Sequence, residues 1–272
     1  MDLQLKGKRA LITGSNTGIG RGIAMVLARE GVEVAIHGRN EERATSVVDE
    51  INGLRGKAVL ALGDLTNDSG ADAVIAAVEA KLGGVDILVN NAGGNDAGGN
   101  VHREWFDVPL DDWLYTFQEN TMSAVRMVHG LVPGMRARGW GRVIMIGTAI
   151  ATQPFAQIPD YSCAKAGMLN MMMSLSKALA HTGITVNTIS PGSVLTDSVT
   201  QWLTMIAQEH QWEGGWEDWE KRLTRELVPI SVSQIGRPED FGNLVCFLAS
   251  PLSRYITGAN YRMDGGQCHS LN

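Results

Sequence analysis

Short, unbroken apolar runs alternate with amphipathic stretches along nearly the whole chain, and that alternation leaves few folds open. Lys8 to Thr13 (KRALIT) is an apolar run closed by a glycine, and the segment that follows to Glu30 carries Ile19, Ile23, Val26 and Leu27 at helical spacing. The same pair recurs as Val32 to His37 with Glu41 to Leu54, and as Ala58 to Leu62 with Asp68 to Leu82, before a strand from Asp86 to Val89. A polar, glycine-rich loop through Asn100 leads to a helix expected from Leu110 to Arg136, a strand from Arg142 to Ile146 and a helix from Tyr161 to His181. Ile184 to Ile189, an irregular region, a helix from Glu239 to Leu248 and a strand near Ala259 to Met263 complete the order. Strands that are apolar at every position are buried on both faces, and right-handed crossovers place helices on each side of them. The expected fold is a doubly wound parallel α/β sheet, and with no boundary visible residues 1–272 read as one domain.

Composition narrows the function. Hydrophobic residues make up 44% of the chain and charged residues 19%, a balance that sustains a folded core rather than disorder. The net charge of −6, with 23 scattered basic residues, offers no positive field for a phosphodiester backbone, so no nucleic-acid partner is expected. Cys163, Cys246 and Cys268 are too few and too far apart for a disulfide framework or a zinc site, so they read as reduced thiols and no metal is expected. Met171 to Met173 have no histidine or cysteine partner at ligand spacing and read as packing. Met1 to Lys6 lack a secretory pattern, and no stretch reaches membrane-spanning length, so the expected place is the cytoplasm with no membrane partner.

Chemistry gathers where strands end. Thr13 is followed by Gly14, Ser15, Asn16, Thr17, Gly18, Ile19 and Gly20, which puts three glycines between a strand and a helix. Glycine permits a tight turn and close approach of a pyrophosphate to the helix N-terminus, although an ordinary glycine-rich turn would look alike. After the second strand comes His37-Gly38-Arg39-Asn40, with no immediate acid to bond ribose hydroxyls. The Arg39 guanidinium suits a 2′-phosphate; the alternative is a loop cation paired with Glu41 or Glu42. Tyr161 and Lys165 lie four apart on one face of a helix, where an ammonium favours the phenolate form of a group whose ordinary pKa is near 10.

Together the G-x-x-x-G-x-G turn, Asn90-Asn91-Ala92-Gly93, Tyr161-x-x-x-Lys165 and Asp264-Gly265-Gly266 resemble the short-chain dehydrogenase/reductase family, in its ordinary-length form, over almost the whole chain. The resemblance implies a Rossmann-like fold binding NADP(H), with NAD(H) the other candidate. It implies a cofactor site made of Gly14 to Gly20, Arg39, Asn40, Asp64, Leu65, Asn91, Ala92, Gly93, Tyr161, Lys165, Pro191, Gly192, Val194 and Thr196. A loop aspartate such as Asp64 also serves local turn bonds. The implied catalytic set is Asn120, Thr148, Tyr161 and Lys165, with Thr148 standing thirteen residues before Tyr161, where the family carries serine.

The implied activity interconverts a carbonyl and a secondary alcohol on a small-molecule substrate, and the implied assembly is a homo-oligomer, tetramer or dimer. Residues 198–229 correspond to a substrate-covering element whose Trp202, Trp212, Trp216 and Trp219 either form an apolar lid or pack into the body or a subunit interface. With Gln153, Phe155 and Gln157 expected opposite, the substrate reads as a compact apolar, cyclic or aromatic ketone with a polar handle. Two alternatives stand beside it. A 3-oxoacyl-carrier-protein or 3-oxoacyl-CoA reductase fits the resemblance, although acidic residues outnumber basic ones between Gln208 and Glu226. A nonenzymatic dinucleotide sensor would keep the fold without the chemistry.

Overall fold

The computed structural model describes residues 1–94 and 103–270. Its strands are β1 (Arg9–Ile12), β2 (Glu33–Gly38), β3 (Lys57–Leu62), β4 (Ile87–Asn90), β5 (Gly141–Ile146), β6 (Ile184–Pro191) and β7 (Asn260–Met263). They form one parallel sheet in the order β3-β2-β1-β4-β5-β6-β7. Side chains alternate across each strand, so Ala10, Ile12, Val34 and Ile36 enter one core while Leu11, Ala35 and Leu88 enter the other. The helices α1 (Gly18–Arg29), α2 (Glu41–Gly53) and α9 (Pro238–Ala249) cover the first face. The second is covered by α3 (Asp68–Leu82), α5 (Ser123–Arg138) and α6 (Pro159–Ala178). Successive crossovers diverge between β1 and β4, which opens a crevice beyond the carboxyl ends of those strands.

Helix ends follow local chemistry. Asn40 and Asn67 cap α2 and α3 by accepting from the N–H groups of Arg43 and Gly70, and Gly83 ends α3 in the left-handed conformation. The helix expected from Leu110 to Arg136 is two helices, α4 (Leu110–Phe117) and α5, joined by a π-helical turn over Gln118–Met122. In that turn Ser123 N–H bonds the Gln118 carbonyl, five residues back, and the extra residue is a distortion that hydrophobic spacing does not announce. Helix α6 starts two residues ahead of Tyr161, with Pro159 as its first residue, and stops at Ala178. The irregular region holds α7 (Asp197–Glu209) and α8 (Trp216–Arg222). The glycine-rich loop read through Asn100 lies, from residue 95, outside the described residues.

Beneath the start of α6, Asp160 is buried and accepts from Arg103 Nη2 at 3.1 Å and from the Thr116 hydroxyl at 2.8 Å. Arg103 also pairs with Asp112 and donates its backbone N–H to the Gln157 carbonyl at 3.0 Å. One guanidinium therefore neutralises two carboxylates and ties the start of α6 to α4. Replacing Arg103 with methionine leaves the buried Asp160 charge without its cation, and we expect a loss of about 3 kcal/mol in denaturant unfolding. A loss below about 1 kcal/mol would show the pair to be dispensable.

Candidate active site

The crevice is shaped by one hydroxyl and one glycine turn. Thr13 Oγ1 accepts from the N–H groups of Asn91 and Ala92, each at 2.8 Å, while Asn91 Nδ2 donates to the carbonyls of Thr13 at 2.9 Å and Gly14 at 3.1 Å. Gly14 has φ +63°, and Gly20 packs so closely that a Cβ there would lie 2.3 Å from the Gly14 carbonyl oxygen. Helix α1 begins after Thr17 with no side-chain cap and no acid in its first turn, leaving its N–H groups and dipole for an anion.

Ser15 belongs to this turn differently from expectation. It is fully buried; its hydroxyl donates to the Ile12 carbonyl at 2.7 Å and accepts from His37 N–H at 2.9 Å. It stitches β1 to β2 rather than facing the crevice. His37, which the spacing left as a strand residue, accepts from Gly14 N–H at its Nδ1 (2.8 Å). Its Nε2 must then carry the proton and donate to the Gly63 carbonyl, 3.1 Å away. Burial pushes His37 down to about 4, so the ring stays neutral and holds this tautomer.

Three adjoining hollows follow the crevice. One, of about 340 Å³, is lined by Gly14, Asn16, His37, Arg39, Asn40, Asp64, Leu65, Ala92 and Glu119, among others. Arg39 pairs there with Glu119 (3.5 Å) and donates to the Tyr115 hydroxyl (3.4 Å), in place of the Glu41 or Glu42 pairing that sequence proximity offered. Asp64 uses one oxygen for the N–H and hydroxyl of Thr66. A second hollow, of about 720 Å³, runs past Thr17, Gly18, Arg21, Arg43 and Thr196. A third, of about 410 Å³, joins Gly18, Ile19 and Gly93 to Thr148, Tyr161, Lys165, Pro191, Gly192, Val194 and Thr196.

Of the four expected catalytic residues, Thr148, Tyr161 and Lys165 line that third hollow, and Asn120 stands against Gly93 on its wall. Asn120 comes from the π-helical turn and is fully buried, donating to the carbonyls of Gly94 (2.9 Å) and Thr116 (3.0 Å). Thr148 follows β5 in extended backbone, and Tyr161 and Lys165 face inward from α6. Lys165 Nζ donates to the Ile146 carbonyl at 3.0 Å and lies 5.8 Å from the centre of the Tyr161 ring. Burial pushes Lys165 down to about 8, partly opposed by the carboxylate of Glu119. A Cβ on Gly93 would lie 2.4 Å from Asn120 Oδ1 and 3.4 Å from Lys165 Nζ, so asparagine, lysine and the Asn91-Ala92-Gly93 bend converge.

The flanking segments depart from expectation. Gln153 does not line the catalytic hollow; its Oε1 accepts from the N–H groups of His269 (2.7 Å) and Ser270 (3.3 Å), and neither Phe155 nor Gln157 lines it either. Nearby, Arg262 bonds Ser270, and Gln267 accepts from the N–H (3.0 Å) and hydroxyl (3.1 Å) of Ser193. Trp212, Trp216 and Trp219 pack around Leu203, Leu223 and Ile235 within their own segment, while Trp202 lines the hollow. Trp216 and Trp219 lie on α8, and Trp212 precedes it. Thr196 borders the hollow and also caps α7, accepting from Val199 N–H at 3.4 Å. Among the described residues there is no cluster of metal ligands, and no helix is long and apolar enough to cross a membrane.

Comparison with known proteins places the chain in a family. The family model for short chain dehydrogenase matches residues 8–207. The chain is 39% identical to an uncharacterized oxidoreductase, YvaG, of Bacillus subtilis over 275 residues, covering 100% of both chains. It is 33% identical over 266 residues to the 3-oxoacyl-[acyl-carrier-protein] reductase FabG of Vibrio cholerae, covering 97% of this chain and 98% of the other. Among solved structures, L-sorbose reductase from Gluconobacter frateurii, complexed with NADPH and L-sorbose, superposes with a TM-score of 0.90 at 32% identity, each chain covered completely.

The neutral His37 has a measurable signature. Its folded value of about 4 lies below the unfolded 6.5, so its contribution is complete above pH 6.5 and is lost as pH falls toward 4. We expect roughly 3 kcal/mol of stability to disappear across that window from this group. In His37→Asn, which keeps an acceptor for Gly14 N–H, unfolding curves measured from pH 7 to pH 4 should lack that loss; an unchanged pH slope would contradict the assignment.

Proposed function

The chain belongs to the short-chain dehydrogenase family and is an oxidoreductase, and on that premise we propose that it transfers hydride between NADP(H) and a compact ketone or the matching secondary alcohol. The observation that carries this reading is the single crevice in which the glycine turn, Arg39 and the Tyr161, Lys165 and Thr148 set lie end to end. The residues present fit a dinucleotide: the uncapped α1 N-terminus for a pyrophosphate, a close-packed turn in which Gly14 and Gly20 leave no room for a side chain of their own, and Arg39 for a 2′-phosphate. The NADPH held by the L-sorbose reductase relative supports the same choice.

When bound, the nicotinamide supplies or accepts the hydride. The protein's part is proton transfer and charge stabilisation. In the reductive direction Tyr161 gives its phenolic proton to the carbonyl oxygen as negative charge grows there, and the Thr148 hydroxyl donates to the same oxygen. Lys165, dry and fixed by the Ile146 carbonyl, supplies the positive charge that stabilises the phenolate left behind. Asn120, pinned to Gly94 and Thr116, holds the floor beneath them. Alcohol oxidation reverses each step.

The catalytic hollow has room for a small substrate, between the hydroxyls of Ser193 and Thr148 and the apolar sides of Val199, Trp202 and Leu223. That mixture favours a compact ketone carrying polar groups. A β-keto thioester is the second reading, favoured by the FabG relative and weakened by the acidic excess between Gln208 and Glu226. Residues 198–229 act as the substrate cover through Trp202, within a one-domain chain that works as a homo-oligomer.

Loss of reduced-nicotinamide absorbance, followed with cyclic and aromatic ketones, ketoses and β-keto thioesters, tests the reading. Tyr161→Phe should lower kcat at least about 100-fold while leaving NADPH affinity intact; near-normal turnover would sink the mechanism. Lys165 is charged below its value of about 8, so reductive kcat/KM should fall as pH rises through that value. Arg39→Ser should weaken NADPH at least about tenfold and NADH hardly at all; equal effects on both would remove Arg39 from phosphate recognition.

A further inference from the structure

Glu119 immediately precedes Asn120 in the π-helical turn, and its carboxylate stands on the wall of the hollow that Arg39 borders. Only 10% of the Glu119 side chain is exposed, against 56% for Arg39. Arg39 Nη2 lies 3.5 Å from Glu119 Oε1, and its other amino group donates to Tyr115 on α4. The same carboxylate acts electrostatically on Lys165. One buried anion thus sits between the cation at the ribose end of the crevice and the cation at its catalytic end.

We infer that Glu119 is a specificity-determining residue that restrains the preference for a 2′-phosphate over a 2′-hydroxyl, by fixing a negative charge behind Arg39. The inference deepens the function proposed above and rests on Arg39 facing the 2′-phosphate. Two effects of opposite sign compete. By holding Arg39 over the hollow, Glu119 would favour the phosphate; by its charge it opposes a group that carries about −1.5 to −2. The first is small, because a largely exposed arginine in a single long contact gains little from its partner. The second is larger, because the field of a buried carboxylate escapes most of the salt screening that weakens exposed charges. The charge effect decides the sign, and a 2′-hydroxyl, being neutral, does not feel it.

Calorimetric titration of the full chain with NADPH and with NADH, at low ionic strength, tests this. E119Q should bind NADPH roughly fivefold more tightly and NADH less than about twofold differently. Glu119→Leu, which also removes the charge, carries the same expectation should E119Q fail to fold. Arg39→Ser, titrated alongside, separates the two claims. If it weakens NADPH while removal of the Glu119 charge leaves NADPH unchanged or weaker, the inference is overturned and the cofactor reading stands. If Arg39→Ser leaves NADPH binding as in the parent chain, both fall.

Discussion

Everything at the crevice hangs on the approach of β1 to β4, and one hydroxyl governs it. Thr13 Oγ1 accepts two successive N–H groups from the chain leaving β4, so those groups are satisfied without a further strand. The backbone after β4 is thereby free to bend, and Gly93 takes φ +144° within reach of Asn120 and Lys165. A valine of the same shape would keep the packing of Thr13 and orphan both donors. The parallel sheet supplies the place; this hydroxyl decides which way the chain leaves it.

The catalytic end resolves a conflict between charge and dryness. An ammonium is most effective beside a phenol when water is excluded, yet exclusion favours losing the proton. Lys165 is 3% exposed and donates to the Ile146 carbonyl; burial pushes it down to about 8, and the carboxylate of Glu119 opposes any further fall. The π-helical turn makes this arrangement available. By inserting one residue it re-aims Asn120 toward the Gly94 carbonyl and sets Glu119 beside the crevice.

What could be read from residues alone follows from the range of the physics involved. The alternation of strands and helices reflects local burial, so β1 to β7 and the helices that cover them were legible to within a few residues. Tyr161 and Lys165, one helical turn apart, were legible for the same reason, as were the glycines. The roles of Thr13, Ser15 and His37 were not, because their partners lie 22 to 79 positions away or are backbone carbonyls exposed only by the turn itself. Arg39, singled out by its place after β2, lines the first hollow, but its partner, Glu119, is brought there by the π-helical turn rather than by nearby sequence. The π-helical turn left no trace in hydrophobic spacing because Leu110 to Arg138 remains helical on both sides of it.

The bonds from Gln153 to His269 and Ser270, and from Ser193 to Gln267, span 116, 117 and 74 positions. They fasten the loop after Thr148 and the loop after β6 to the same segment beyond β7. During synthesis the chain is made from its amino end, so the glycine turn and the first strands are complete long before that segment exists. The hollow that Arg39 borders is framed by residues between Gly14 and Glu119, while the hollow that Tyr161 and Lys165 border gains its last supports only when residues 267–270 have reached the loops after Thr148 and β6.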